Sequence, residues 1–120
     1  MNAMPGPIIE WFHVSFNDTL IHIKIDILGR DEINDSLMWS DIIRVCFKTG
    51  DFLSSDEILI FTKSRPESYL IPTEADGALD LWGEIIKRGV FDAELAIRAA
   101  TAGEDEIFCW PQDTWIRWSE

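Results

Sequence analysis

The chain has 120 residues, of which 22 are Asp or Glu and 10 are Lys or Arg, and its formal net charge is -12. Hydrophobic residues make up 47% of the sequence, so the chain can bury a core, and disordered, collagen-like and low-complexity classes are excluded. Nucleic acids and anionic lipid surfaces are bound through clustered Lys and Arg, so this charge disfavours both as partners. We expect one acidic domain over residues 7–118.

The cellular compartment of the protein is inferred from the length of its apolar segments and from its number of cysteines. No stretch approaches the roughly 20 apolar residues that span a bilayer, and residues 1–7 lack the basic and apolar parts of a secretion signal. Cys46 and Cys109 permit one disulfide, but so few cysteines do not indicate a disulfide scaffold, and we expect each to pack as a small apolar side chain. The sequence therefore predicts a reduced, cytoplasmic protein without a membrane span.

The first predicted feature is a β-hairpin. Residues 8–16 and 19–28 are rich in aromatic and β-branched side chains, and Asn17-Asp18 supplies turn chemistry between them. In the second run apolar and polar residues alternate, which is typical of a strand with one buried face. A turn symmetric about Asn17-Asp18 predicts that Val14 lies opposite Ile21.

Further strands are predicted before the helices. Residues 29–36 are polar and contain Gly and Asn, which predicts a loop. Residues 37–48 alternate in polarity and predict a half-buried strand. Residues 57–62 and 68–71 flank a Pro-containing polar segment and predict a second hairpin.

Helical periodicity begins after Pro72. Thr73 fits the N-cap of a first helix, which ends near Gly89. Its apolar stripe consists of Leu79, Trp82 and Ile86, with Ala78 and Ile85.

A second helix is predicted from an N-cap at Asp92 to about Ala102, followed by a last strand at residues 106–110. Early strands and late helices without strict alternation favour an α+β fold with an antiparallel sheet. We count about six strands, with one or two helices late in the chain.

No sequence motif indicates a cofactor. The glycines form neither a phosphate loop nor a dinucleotide fingerprint, and standard hydrolase and zinc motifs are absent. The symmetric hairpin register places His13 directly across from His22, so the two imidazoles are weak candidates for a metal or small-ligand site. Two ordinary histidines on the polar face are the alternative, since Glu10 and Asp26 point to the opposite face and supply no third ligand.

Enzymatic chemistry has no specific support. Cys46 with a histidine base would make a nucleophile, but nothing in the sequence identifies a group that stabilises its thiolate. The many carboxylates pair by chance, so they do not identify a glycosidase. We therefore expect a protein that is not an enzyme.

The first helix carries an acidic ridge. Asp76, Asp80 and Glu84 recur every four residues and present like charges on one side of the helix. Such a ridge suits a basic partner, because complementary charge steers association and fixes its register. A solvated helix face is the alternative.

Tryptophan is abundant, with six residues in 120. Trp115 and Trp118 lie in a short aromatic tail, where exposed tryptophan beside acidic residues is typical of interface anchors. Alternatively, the tail covers a sheet edge.

Several segments together resemble a known group of proteins. Residues 39–45, the hairpin 57–71, the helix start 72–77, the pair Phe91-Asp92 and the strand 107–110 are similar to small acidic bacterial proteins with a PH-like layout, some of which are regarded as immunity proteins of toxin systems. That layout has more strands and fewer helices than we count, so the resemblance implies a sheet that closes only partly into a barrel.

The resemblance also implies a non-enzymatic protein that binds another protein. A toxin that holds nucleic acid must be basic, and an acidic inhibitor would complement it. The predicted contact residues are Asp76, Asp80, Glu84, Trp115 and Trp118. A homodimer that covers the exposed sheet edge or the tryptophans is a further arrangement that the sequence allows.

Overall fold

Seven strands and three helices account for most of residues 6–111, the part of the chain that the computed structural model describes. The strands are β1 Phe12–Phe16, β2 Leu20–Ile25, β3 Ile33–Met38, β4 Ile42–Lys48, β5 Glu57–Thr62, β6 Arg65–Pro72 and β7 Ile107–Trp110. The helices are α1 Ile8–Trp11, α2 Ala78–Lys87 and α3 Ala93–Ala100, and a 3-10 turn lies at Trp39–Asp41.

The predicted α+β class with antiparallel pairing is confirmed, but the strands form two sheets rather than one sheet of about six strands. The sheets have the orders β1-β2-β3 and β6-β5-β4-β7, and the described strands form no closed barrel. The 3-10 turn separates them: the Trp39 N–H donates to the carbonyl of Thr19, whereas the Asp41 carbonyl accepts from the N–H of Lys63. The chain leaves one sheet and enters the other within this turn.

The first hairpin forms, but its predicted register is wrong by two residues. Val14 lies opposite Ile23 rather than Ile21. The Asn17 side chain sets this register, because its Oδ1 accepts the backbone N–H groups of Thr19 and Leu20 at 2.8 and 2.9 Å. This Asx-type turn moves the tip of the hairpin one residue along the chain.

The sequence predicts a loop over residues 29–36, but residues 33–36 of it form most of β3, which pairs with β2. Within β3 only Leu37 is buried, so hydrophobicity gives no strand signal there. Polar side chains are compatible with an edge strand because the backbone hydrogen bonds to β2 hold it in place.

The four-stranded sheet carries a disulfide. Cys46 on β4 lies directly opposite Cys109 on β7, and their sulfur atoms are bonded. The expectation that the two cysteines pack separately is therefore wrong. Sequence spacing could not show this pairing, because the cysteines are separated by 63 residues and meet only when β7 joins β4.

Helix α2 starts later than its predicted cap. Its N-cap is Gly77, and the Thr73 hydroxyl donates to the carbonyl of Asp56 instead of capping the helix. Gly77 has φ +83°, and a Cβ at this position would lie 2.1 Å from the carbonyl oxygen of Val14. Glycine is required here by both conformation and space.

The end of α2 agrees with the sequence. Gly89 has φ +75°, its N–H donates to the carbonyl of Ile86, and the N–H of Val90 donates to the carbonyl of Ile85. These bonds make a Schellman motif, which satisfies the last carbonyls of the helix. The predicted apolar stripe is correct in part, because Ala78 and Ile85 are buried. Leu79 is exposed instead, and Leu81, which the stripe did not include, is buried.

Helix α3 confirms its predicted cap, since the Asp92 carboxylate accepts the N–H of Leu95 at 2.9 Å. Both longer helices pack on the sheets, and buried side chains from both sheets, α2 and α3 form one apolar cluster. No helix within residues 6–111 is long and apolar enough to cross a membrane.

Candidate functional site

The predicted histidine pair does not form. With the observed register, His13 lies opposite Lys24 and His22 lies opposite Ser15. His22 Nε2 hydrogen-bonds with Asn34 Oδ1 at 3.1 Å, and His13 Nδ1 hydrogen-bonds with Asp76 Oδ2 at 3.0 Å. The two imidazoles share a strand face diagonally, but each is engaged with a different side chain.

No metal centre is visible in residues 6–111, where no group of three or more His, Cys, Asp or Glu side chains could hold an ion. The disulfide also removes Cys46 and Cys109 as thiolate nucleophiles. The chemistry of these residue types therefore gives no support to the metal-binding and nucleophile alternatives.

Asp76 has a structural role, because its backbone links the segment after β6 to β1. Its N–H donates to the carbonyl of Phe12, and its carbonyl accepts the N–H of Val14, so the segment after β6 pairs with the outer edge of β1. The His13 contact adds a side-chain bond to this bridge. Asp76 therefore precedes the helix and is not part of a ridge on it.

Glu84 is also engaged within the molecule. Its Oε2 accepts from Arg88 Nε at 2.8 Å, and both side chains are mostly buried. The Arg88 guanidinium lies 3.9 Å from the ring centroid of Trp39 and donates to the carbonyls of Asn17 and Asp18. These contacts fasten the end of α2 to the tip of the first hairpin.

Of the three predicted ridge residues, Asp80 lines one of the three clefts found within residues 6–111. Trp115 and Trp118 lie outside the described residues. Three of the four described tryptophans serve packing: the indole N–H groups of Trp11 and Trp39 donate to backbone carbonyls, and Trp82 lies 4.9 Å from the rings of both Phe47 and Phe91. The fourth, Trp110 on β7, is exposed.

Three adjoining clefts lie around the loop 51–55, α1 and the first turn of α2. The first cleft, of about 580 Å³, is bounded by residues of α1, by Glu74 and by Leu79 and Asp80. The second, of about 450 Å³, shares Ile8 and Glu74 with the first and is bounded by the loop 51–55. The third, of about 330 Å³, shares part of that loop and reaches the end of α3. Neighbouring clefts share lining residues and therefore adjoin one another, and we call the three clefts together the acidic groove.

Local hydrogen bonds shape the loop 51–55 at the centre of the acidic groove. The Asp51 carboxylate accepts the N–H groups of Leu53 and Ser54 at 2.8 and 3.0 Å and contacts the Ser54 hydroxyl at 3.1 Å. These donors, first the Leu53 N–H and then the Ser54 hydroxyl, hold the pKa of Asp51 below its ordinary value. Gly50 fits beside this turn because a Cβ would lie 2.2 Å from the carbonyl oxygen of Ser54.

The loop presents two large apolar side chains to solvent. Phe52 is 86% exposed and Leu53 is 81% exposed. At the other end of the groove, Leu79 is 69% exposed and Ile9 is 56% exposed. Apolar side chains clustered at a concave surface are typical of interaction sites, unlike single exposed residues scattered over a protein.

The charges along the acidic groove have one sign. Its lining contains no Lys, Arg or His. The acidic residues of the lining are Asp51, Asp56, Glu57, Glu74, Asp80 and Glu104. An apolar surface surrounded by carboxylates is suited to a ligand that combines apolar groups with positive charge.

The residues that the sequence predicts as partner contacts include Asp80 of the acidic groove but none from the loop 51–55. A signal was available, because Phe52-Leu53 places two large apolar residues in a segment otherwise composed of Gly, Asp and Ser. The groove itself was hidden, because its parts come from residues 7–9, 49–57, 72–80 and 99–104, which only the tertiary fold brings together. Comparisons of this chain with protein-family models, with curated proteins and with solved structures gave no significant match.

Proposed function

We propose that this protein is a non-enzymatic binding domain for a basic protein, and that it binds this partner through the acidic groove. The observation that carries the proposal is the lining of the groove, which combines carboxylates with exposed apolar side chains and contains no basic residue. The net charge of -12 adds a long-range field that accelerates encounter with a positively charged protein.

The more specific form of the proposal is an immunity protein that neutralises a basic toxin. It derives from the resemblance of residues 39–45, 57–77 and 107–110 to small acidic PH-like bacterial proteins. A nuclease toxin would present a basic substrate-binding surface, and an acidic inhibitor could occupy that surface. In this form of the proposal the tail residues Trp115 and Trp118 remain predicted apolar anchors.

The test compares two variants with the same change in net charge. Glu74→Lys/Asp80→Lys reverses two charges in the acidic groove, and Glu67→Lys/Glu94→Lys reverses two exposed charges that do not line it. Immobilised wild-type protein and both variants are used to capture proteins from a lysate of the producing cells at low salt, followed by elution with a salt gradient. The captured basic protein is then purified, and its association rate is measured with each variant.

We expect the groove variant to slow association by about 10-fold or more at low salt, and the control variant to cause a much smaller change. Equal effects of the two variants would show that only net charge matters and would exclude the groove as the binding surface. Recovery of no basic protein by the wild-type protein would contradict the proposed function itself.

Localisation is tested separately. The sequence predicts a reduced cytoplasmic protein, whereas a structural disulfide is typical of oxidising compartments. Alkylation of thiols during cell lysis, followed by mass spectrometry, counts the free cysteines. Two free thiols would support the cytoplasmic prediction, and an intact Cys46–Cys109 disulfide in cells would contradict it.

A further inference from the structure

We propose that the acidic groove binds an extended segment of the partner in which one or more large apolar side chains lie between Lys or Arg residues. This inference rests on the proposed function and specifies which part of the basic partner is recognised. It commits to a peptide segment rather than to a broad, flat surface of a folded domain.

The shape of the groove carries the first step. The second cleft shares Ile8 and Glu74 with the first and Asp51 and Phe52 with the third, so the second cleft lies between the other two. Successive concavities of this kind accept side chains from consecutive parts of one extended chain.

The apolar side chains carry the second step. Phe52 and Leu53 on the loop, and Ile9 and Leu79 around the first cleft, are all more than half exposed. Burial of apolar surface is the main favourable term in most protein association, so these side chains require large apolar groups on the ligand.

Charge carries the third step and selects the occupant. Glu74 borders both of the larger clefts, Asp80 borders the first, and Asp51 and Glu57 border the second. Lys or Arg beside the apolar anchors would meet these carboxylates. A second copy of this chain, with its own charge of -12, would be repelled by these carboxylates. Anionic lipid and nucleic acid would be repelled for the same reason, so a basic segment is the favoured occupant.

The experiment uses a displayed library of random 12-residue peptides, selected on the immobilised full-length protein at low salt. We expect enrichment of sequences that place a Phe, Leu, Ile, Met or Trp between basic residues. The enriched peptides are then synthesised with a fluorescent label, and their affinity is measured against the protein and its variants.

Two matched pairs of variants locate the binding site. Phe52→Ala and Glu74→Lys alter the groove, whereas Ile97→Ala and Glu94→Lys alter the exposed face of α3 outside it. We expect each groove variant to weaken peptide binding at least 10-fold, and each α3 variant to change it less than 2-fold. Enrichment of peptides without basic residues, no enrichment, or equal effects of the paired variants would overturn the inference.

The outcome for this inference is separable from the outcome for the proposed function. If the captured basic protein loses affinity for Glu74→Lys/Asp80→Lys, and none of its 12-residue segments competes with it, the proposed function holds and recognition of an extended segment is wrong. If peptides of the expected type bind in the groove, and one of them matches the captured protein, both hold.

Discussion

The acidic side chains at the two ends of helix α2 differ in their surroundings, because one is paired with a basic residue and the other borders an acidic cleft. At its end, Glu84 is paired with Arg88, whose guanidinium lies over Trp39. At its beginning, Asp80 and Leu79 border a cleft that contains no basic residue. Asp80 and Glu84 are one helical turn apart, yet Glu84 forms an internal ion pair and Asp80 borders a cleft.

This difference teaches that charge spacing along a helix does not identify a binding surface. The spacing of Asp76, Asp80 and Glu84 is regular, but their surroundings come from three other parts of the chain. β1 engages Asp76, the tip of the first hairpin meets the Arg88 that holds Glu84, and α1 forms the cleft beside Asp80. Substitution of Asp80 should therefore affect binding, whereas loss of the Glu84–Arg88 ion pair should affect stability.

The largest effect on stability is expected from the disulfide, which joins β7 to β4 and does not involve α2. We expect reduction of Cys46–Cys109 to lower the free energy of unfolding by about 2 to 4 kcal/mol, since the cross-link constrains a long loop of the unfolded chain. Urea unfolding with and without a phosphine reductant measures this loss. The double variant Cys46→Ala/Cys109→Ala, insensitive to the reductant, is the control, and an unchanged midpoint for the reduced wild-type protein would contradict the prediction.

The beginning of α2 is expected to depend on Gly77. We expect Gly77→Ala to destabilise the fold by about 2 to 3 kcal/mol, because its positive φ disfavours alanine and the Cβ would clash with the backbone of Val14.

Gly83→Ala is the matched control within the same helix. Nothing lies within 4 Å of a Cβ added at Gly83, so this change should stabilise the protein by about 0.5 to 1 kcal/mol. Urea unfolding of both variants checks the pair. Similar effects of the two substitutions would show that the contact between residue 77 and β1 is not tight.

The end of α2 is expected to depend on Arg88. We expect Arg88→Met to cost roughly 1 to 2 kcal/mol, since it removes a mostly buried ion pair with Glu84 and the contact of the guanidinium with Trp39. Arg98→Met on the exposed surface of α3 should change stability by less than about 0.5 kcal/mol. Thermal unfolding of the two variants compares them, and equal melting temperatures would contradict the fastening role of Arg88.

The smallest expected effect concerns Asp51 in the acidic groove. Its folded-state pKa is lowered by the N–H of Leu53 and the hydroxyl of Ser54, so its contribution to stability is present above the ordinary pKa of an Asp and is lost as pH falls through the lowered value.

NMR titration of the Asp51 carboxyl carbon measures this shift directly. In Ser54→Ala, which removes the hydroxyl donor, the pKa should move part of the way back toward its ordinary value. A carboxyl that titrates at its ordinary value in the folded wild-type protein would show that the turn is not held by these hydrogen bonds.

Several parts of the fold could be predicted because short-range rules decide them. The alternation in residues 20–25, the Asp92 cap of α3 and the Gly89 end of α2 all appear in the structure. Each depends on side chains within a few residues of one another, so local sequence contains the necessary information.

Other parts could not be predicted because distant residues decide them. Thr73 has the chemistry of an N-cap, but its hydroxyl donates instead to the backbone carbonyl of Asp56, which immediately precedes β5. β3 has few apolar residues, yet β2 provides its hydrogen-bond partners. The register of the first hairpin depends on the conformation that Asn17 adopts at the turn, which the symmetry of the apolar pattern does not specify.

The sequence by itself determined the acidic charge, the α+β class and the positions of α3 and most strands, because composition and local periodicity are properties of neighbouring residues. Only the tertiary structure decided the division into two sheets, the Cys46–Cys109 disulfide, the separate partners of His13 and His22 and the assembly of the acidic groove. The physical reason is that each of these depends on contacts between residues far apart in the chain. Such contacts are set by how the core packs, not by the order of residues within any one segment.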